Sequence, residues 1–373
     1  MKILLSQPDI SPSERRAVSK VLNTPQLSLG PKLPEFEQRF ARYIGRRHAV
    51  AVNSGTSALH LILLALGLKA GDEVITTPFS FVASANCILF VGAKPVFADI
   101  DPRTLNIDPQ QIEKRITPRT KAILAVDVFG QPADWASVNR IASKRGLTVI
   151  EDSCEALGSE YKGKKCGCFG DAATFAFYPN KQMTTGEGGM VVTNNQRIAR
   201  LSRSLRNQGR TDAGGWLEHE RLGYNYRLSD INCALGLAQL ERLPSMQRKR
   251  QQVRRRYDLL LQDCADIELP FTADDDKINP FVYVIRLKKP LGRRHRDRII
   301  AALRKKGIGC HHYFAPIHLQ PFYRRAYHYQ RGDYPLTEAV ADRTVALPFY
   351  NKLSRSQIEY VVVNLKKFLK QLH

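Results

Sequence analysis

Seven short runs rich in apolar and β-branched residues punctuate the first half of the chain. They are His48–Val52, Glu73–Thr76, Pro95–Asp99, Ala122–Val126, Leu147–Glu151, Ala173–Phe177 and Gly189–Thr193. Most are separated by segments with helical spacing, among them Ser57–Leu68, Asn86–Val91, Pro109–Lys114 and Trp135–Arg145. Strand and helix in alternation predict a mostly parallel sheet covered by helices on both faces. The last two runs are joined by residues 178–188, too few for a crossover helix. One strand of that pair should therefore run against the rest.

The ends of these runs carry the chemistry. Thr174-Phe175-Ala176-Phe177 closes in a Pro-Asn step, followed by Lys181 and the turn Gly186-Glu187-Gly188-Gly189. A lysine just past a buried strand sits where desolvation disfavours its charged form, which makes the amine able to attack carbonyls and form a Schiff base. A solvated surface lysine is the plainer reading, and the neighbouring segments argue against it. Leu147–Ile150 ends in Glu151-Asp152. An acid at the carboxyl end of a strand in an open α/β sheet faces the crevice where ligands bind. It could equally be a helix cap.

A third element, Asn53-Ser54-Gly55-Thr56-Ser57-Ala58-Leu59, follows the first run and opens an apolar segment through Leu66. Strand, small-residue turn and helix in that order converge free N–H groups and hydroxyls on a helix N-terminus, which favours phosphate. Alone, this would be an ordinary N-cap. Together, a phosphate cup, an acid suited to a ring nitrogen and a Schiff-base lysine read as a site for pyridoxal 5′-phosphate (PLP). In such a site a carboxylate keeps the pyridine protonated so that it can accept electrons.

With these segments the chain resembles the DegT/DnrJ/EryC1/StrS sugar aminotransferases, fold-type-I PLP enzymes acting on nucleotide-linked keto-sugars. The resemblance runs nearly end to end. It includes Leu29-Gly30-Pro31, residues 54–59, Thr77-Pro78-Phe79-Ser80-Phe81-Val82-Ala83 and Asp127-Val128-Phe129-Gly130-Gln131-Pro132. Further on come Gly223-Tyr224-Asn225-Tyr226-Arg227, Tyr313–His318 and Leu347-Pro348. It implies that Lys181 bonds the cofactor and shuttles the proton, and that Asp152 meets the pyridine nitrogen. Thr56 and Ser57 then belong to the phosphate cup, and Phe81 stacks on the ring. Asn225 reaches the phosphate of a neighbouring subunit, so the implied assembly is a homodimer with shared active sites.

Two positions depart from the commonest pattern of that family. Ala176 stands where many members have a serine that contacts the phosphate. Glu155 stands where many have a glutamine that donates to the phenolic oxygen of the cofactor. An ionised carboxylate only accepts hydrogen bonds. Glu155 must therefore be protonated, reoriented, or bridged by a cation or water.

The 373-residue chain is 43% hydrophobic and 25% charged, as in globular proteins. No stretch reaches the roughly 18 uninterrupted apolar residues of a membrane span, and the N-terminus lacks a secretory pattern. The expected location is the cytoplasm. Seven cysteines are scattered, and Cys166-x-Cys168 lacks the spacing and partner pair of a zinc site. No metal site is expected, and free, mostly buried thiols are. The net charge of +22 raises nucleic-acid binding. However, runs such as Arg248-Lys249-Arg250 and Arg254-Arg255-Arg256 are not interleaved with aromatics. They read as a solvated basic face, whose field would also attract an anionic sugar nucleotide.

After Asn225 the pattern changes. Ser229–Leu243 and Met246–Leu261 read as helices separated by Pro244, Phe281–Leu287 as a strand, Arg296–Lys306 as a helix and Ile308–Tyr313 as another strand. Ser354–Lys370 forms an amphipathic closing helix. The expected fold is an α/β, fold-type-I PLP-transferase. A seven-stranded, mostly parallel sheet is sandwiched by helices in residues 1–250, and a smaller C-terminal α+β domain occupies 251–373. The expected function is transfer of an amino group, from glutamate by family analogy, to a nucleoside-diphosphate keto-sugar in amino-sugar and surface-polysaccharide biosynthesis. Tyr313 and His318 are candidate substrate contacts, within loops 208–216 and 310–318 that shape specificity. The rivals are a PLP-type sugar dehydratase, in whose relatives histidine replaces the lysine, and a non-catalytic regulatory protein on the same fold.

Overall fold

The computed structural model describes residues 2–211 and 218–372. The loop expected at 208–216 thus lies, from residue 212 on, outside the described residues. The large sheet contains β1 (His48–Val52), β2 (Glu73–Thr76), β3 (Lys94–Phe97), β4 (Thr120–Val126), β5 (Thr148–Asp152), β6 (Ala172–Ala176) and β7 (Gly189–Thr193). Their order is β1-β7-β6-β5-β4-β2-β3. Only β7 runs antiparallel to its neighbours, as the short 178–188 connection requires. Valine, isoleucine and alanine fill the strands because both faces are covered.

Among the described residues up to 261, the helices that accompany this sheet are α1 (Pro12–Leu22), α2 (Lys32–Ile44), α3 (Gly55–Ala65), α4 (Ala83–Phe90), α5 (Pro109–Arg115), α6 (Trp135–Arg145), α7 (Gln196–Arg206) and α8 (Asp230–Leu261). On one face Phe36 and Phe40 of α2 meet Phe175 and Phe177, with ring centroids 5.3–5.7 Å apart. On the other, Leu59, Ile62 and Leu63 of α3 pack over the strands in a second apolar cluster. The strand ends that bear Asp152 and Lys181 are thereby backed by close-packed side chains on both sides.

One helix differs from expectation. Residues 230–261 form a single helix with Pro244 inside it. A proline within a helix removes one hydrogen bond and costs about 3 kcal/mol. Pro244 itself lies on the exposed face, so its ring displaces no core side chain. Leu240, Leu243 and Met246 are buried in one core, and Val253, Tyr257 and Leu261 in another. Burying each such side chain contributes about 1.5–3 kcal/mol, and that sum outweighs the break.

The second core belongs to a three-stranded antiparallel sheet of β8 (Ile267–Glu268), β9 (Tyr283–Leu287) and β10 (Thr344–Leu347). It is covered by the end of α8, α9 (Arg293–Lys305) and α10 (Arg355–Lys370). Ile3 also packs there. The strand expected at Ile308–Tyr313 is not formed. That segment makes single bridges from Ile308 to Ile3 and from His311 to Ala346, then leaves the sheet. Residues 313–314 instead reach the cleft at the carboxyl ends of the large sheet.

Candidate active site

β5 and β6 lie side by side and end at the same cleft. Strand alternation sends Glu151 and Asp152 to opposite faces. Glu151 turns away from the cleft and accepts from the Phe169 N–H at 2.8 Å and from the Gly167 N–H. Asp152 turns into it. Its Oδ2 accepts from the Ser84 hydroxyl at 2.8 Å, and its Oδ1 accepts from the Cys154 N–H at 3.2 Å. Ser84, near the start of α4, is in turn 2.9 Å from the Ser80 hydroxyl. The Asp152 carboxylate is therefore buried with one donor on each oxygen, which leaves it accepting capacity to spare.

Lys181 stands across the cleft on the turn after β6. Its Nζ is 3.5 Å from Glu155 Oε1 and 4.1 Å from the centre of the Phe281 ring. Glu155 Oε2 accepts from the Phe129 N–H at 2.9 Å. Phe129 has φ 58°, a left-handed turn conformation that aims its N–H at this carboxylate. Burial pushes the Glu155 carboxyl above its ordinary range, and Asp152 adds to the rise. Lys181 and the Phe129 N–H pull the other way. Glu155 is thus oriented towards the amine, and burial also eases its protonation.

The third element closes the cleft from the α3 side. Ser54 caps the helix, its hydroxyl accepting from the Ser57 N–H at 3.0 Å. Gly55 approaches the end of β6 so closely that a Cβ there would lie 2.8 Å from the Ala176 Cβ. A glycine is required at that contact. Thr56 and Ala176 line the cavity. The Ser57 hydroxyl instead donates to Asn53 Oδ1 at 2.7 Å, inside the turn, and Ser57 is not among the lining residues.

These groups enclose a cavity of about 480 Å³. Asp152, Glu155, Lys181, Thr56, Phe81 and Tyr313 all line it. Phe81 is 62% exposed, so one face of its ring is free at the mouth. Asn225 does not line the cavity. It is exposed and forms a bridge with Asn207. His318 is also elsewhere: its ring is fully buried, Nε2 lies 3.0 Å from Glu338 Oε1, and Tyr334 packs edge-on against it. Burial lowers its pKa while Glu338 opposes the shift. The 317–319 turn directs the ring into an aromatic cluster, so His318 is a core residue and no contact of this cleft. Ser84, Phe281 and Asn180 are site residues that the sequence alone did not single out. Asn180 Oδ1 is buried without a partner among the described residues. A wider cavity of about 780 Å³ adjoins the first, sharing Ser80, Phe81, Tyr313 and Phe314.

The cleft fits pyridoxal phosphate. One end offers a capped helix N-terminus with Thr56 and a glycine that keeps the turn close. The floor offers a carboxylate with accepting capacity to spare, and the side wall a single amine and an unpartnered amide oxygen. A bound cofactor would give the Asp152 carboxylate a donor and the Lys181 amine a carbonyl to bond.

The family model for the DegT/DnrJ/EryC1/StrS aminotransferase family matches residues 8–366. The chain is 39% identical to the spore coat polysaccharide biosynthesis protein SpsC of Bacillus subtilis, over 98% of this chain and 96% of that one. It is 39% identical to a GDP-perosamine synthase of Caulobacter vibrioides, over 99% and 98%. Among solved structures, the PLP form of Streptococcus pneumoniae Spr1654 superposes with a TM-score of 0.95 at 29% identity, covering all of both chains.

Proposed function

The chain belongs to the DegT/DnrJ/EryC1/StrS aminotransferase family, whose members are PLP-dependent sugar aminotransferases, and on that premise we propose its substrates and the roles of its residues. The amino donor is glutamate. The acceptor is a nucleoside-diphosphate keto-sugar, first of all a GDP-linked one, destined for surface polysaccharide. The observation that carries this reading is the meeting of Lys181, Asp152 and the Ser54–Thr56 turn around one cavity, with a wider cavity opening beside it.

Pyridoxal phosphate, when bound, supplies a carbonyl that takes nitrogen and a ring that accepts an electron pair. The protein's part is to bind, orient and move protons. The N–H groups at the start of α3 and the Thr56 hydroxyl would hold the phosphate, with Ser57 keeping the turn in shape. The Asp152 carboxylate, anchored by Ser84, would face the ring nitrogen and favour its protonated form. The Lys181 amine would hold the cofactor and serve as general acid and base beside it. Glu155 faces the Lys181 amine at 3.5 Å, and with its pKa raised by burial it would hold a proton towards an oxygen of the bound cofactor. Phe81 would cover one ring face, and Tyr313 borders both cavities.

The same reading divides the molecule at about residue 250, within α8. Residues 1–250 supply the floor of the cleft, and 251–373 supply Phe281, Tyr313 and Phe314 to its wall. It also makes the enzyme a homodimer in which an exposed Asn225 completes the phosphate site of the partner subunit. We place it in the cytoplasm. In support, no helix among the described residues is long and apolar enough to cross a membrane, and all seven cysteines are unbonded thiols.

The decisive experiment incubates the purified, PLP-loaded protein with glutamate and a panel of GDP-, UDP-, dTDP- and CDP-linked keto-sugars, and follows 2-oxoglutarate. Release that depends on the sugar, fastest with a GDP-linked one, is expected. No release with any member overturns the assignment. Mixing Asn225→Ala with Lys181→Ala should restore one working site per heterodimer, and failure to do so removes the shared site.

A further inference from the structure

The basic run Arg248-Lys249-Arg250 reads from sequence as a solvated face, yet Arg250 is 4% exposed. Spacing explains how. Residues 243, 246, 250, 253 and 257 form the buried stripe of α8, and position 250 falls on it. The stem passes inward and the guanidinium ends beneath the cleft, 5.4 Å from the centre of the Phe349 ring. No carboxylate pairs with it among the described residues. Asp9 is the charge that favours its ionised form, and Asp9 itself is shared by Arg242, Lys249 and Lys352. Burial brings the Arg250 pKa down to about 10, so it is still a cation at neutral pH.

A buried cation without a carboxylate is costly, and against an apolar side chain of similar volume it adds little to stability. Its partners show another use. Nη2 donates to the Lys181 carbonyl at 3.1 Å. Nη1 donates to the Phe281 carbonyl at 3.2 Å and to the Pro280 carbonyl at 3.4 Å. Lys181 and Phe281 are the two residues whose side chains meet above, amine over ring at 4.1 Å. One planar fork thus ties together the main chains of two segments whose side chains meet in the cleft. Lysine, with a single nitrogen, could not span those three acceptors in the same way. Two other residues of α8 hold the same turn. Gln239 Oε1 accepts from the Thr184 N–H at 3.2 Å, and Asn232 Nδ2 donates to the Thr185 carbonyl at 2.5 Å. Arg250 alone of these lies beyond Pro244, so it reaches Lys181 only because the helix runs unbroken through that proline.

We propose that Arg250 is a positioning residue, clamping the root of Lys181 to the segment that carries Phe281 so that the amine is held at a defined point in the cleft. The inference rests on Lys181 being the cofactor lysine, and its test separates the two claims. In Arg250→Met, hydrogen exchange is measured on the apo protein at the amides of Lys181, Thr184 and Thr185, which bond Tyr178, Gln239 and Phe177. Growth of the visible band on adding PLP is followed in parallel. Loss of hydrogen bonds to a charged donor should speed exchange at those amides about tenfold, leave β4 and β5 unchanged, and slow the band by a similar factor. Wild-type exchange at 181–185 overturns the clamp. So does acceleration spread evenly over α8 and the sheet, or a band that grows at the wild-type rate. If Arg250→Met does not fold, Arg250→Lys takes its place under the same criteria. If Lys181 were not the cofactor lysine, Lys181→Ala would form the same band on adding PLP, while the exchange measurement would still read the clamp.

Discussion

Two groups of buried charges sit against the same long helix and are built in opposite ways. At the N-terminal clasp, Asp9 and Glu14 meet Arg242, Lys249, Lys352 and Gln239. Burial alone would raise the pKa of Glu14, but the Ser11 hydroxyl, Arg242 and the Ser11 N–H bring it to about 2. In the cleft, Glu155 has one N–H donor and one ammonium at 3.5 Å, and burial leaves its pKa raised. Saturated charges hold the chain together. Under-partnered charges remain free to gain or lose a proton, which is what chemistry at neutral pH needs. Gln239 touches both groups, donating to Glu14 Oε1 and accepting from Thr184 in the lysine turn, so the saturated cluster also steadies the reactive one.

The contrast should break most sharply at Lys181. Lys181→Ala removes the cofactor bond and the proton carrier, so transamination should fall by at least about 10³-fold, a scale seen when a central catalytic group is deleted. Its unfolding midpoint should barely move. Turnover near wild type would remove Lys181 from the mechanism. Asp152→Asn keeps the Ser84 contact but loses the charge, and rates should drop by about 10²-fold or more. Retention of most activity would show that the carboxylate does not act on the ring.

In the clasp the effects should reverse. Arg242→Met leaves Glu14 buried with one fewer partner and should cost about 3 kcal/mol in urea unfolding. Activity per folded molecule should stay within about twofold, below the tenfold that 1.4 kcal/mol of lost transition-state binding would bring. A clasp mutant that stayed stable but lost turnover would erase the distinction between the two clusters. Acid gives a finer reading. Because Glu14 is depressed in the folded state, its stabilisation is complete above its unfolded pKa of roughly 4.3 and is lost as pH falls towards 2. Glu14→Gln should flatten that part of the unfolding curve.

Glu155→Gln should give the smallest stability change and the opposite sign. A carboxyl whose folded pKa is raised destabilises increasingly as pH rises above its unfolded value. The variant should therefore gain stability relative to wild type at pH 7 compared with pH 4, by at most about 1 kcal/mol after loss of the Lys181 pairing. A loss of stability at pH 7 would mean that the ion pair outweighs burial.

Much of this site was legible in the chain because strand ends and turns are local features. Lys181, Asp152 and Thr56 each follow a run whose burial and direction the residue pattern announces, and all three meet in the cleft. Ser84 and Phe281 carry no such mark, since each matters only through a partner far along the chain. His318 shows the opposite error. A histidine in an aromatic loop looks like a substrate contact until its ring is seen facing Glu338 and Tyr334. Ser57 lies in the right turn, but its hydroxyl spends its proton on Asn53.

What the residues determined by themselves was the alternation of seven buried runs with amphipathic segments, the single reversed strand after a short connection, and the placing of reactive groups at strand ends. Those follow from side-chain periodicity and from how few residues a connection can use. Tertiary structure decided the rest. It carried α8 through Pro244, because burial on both sides of the proline exceeds one lost hydrogen bond. It buried Arg250 within a run of surface cations and gave it three carbonyls. It turned Glu155 towards Lys181. In each case the deciding energy is a desolvation or contact between residues distant in sequence, which exists only once the chain has packed.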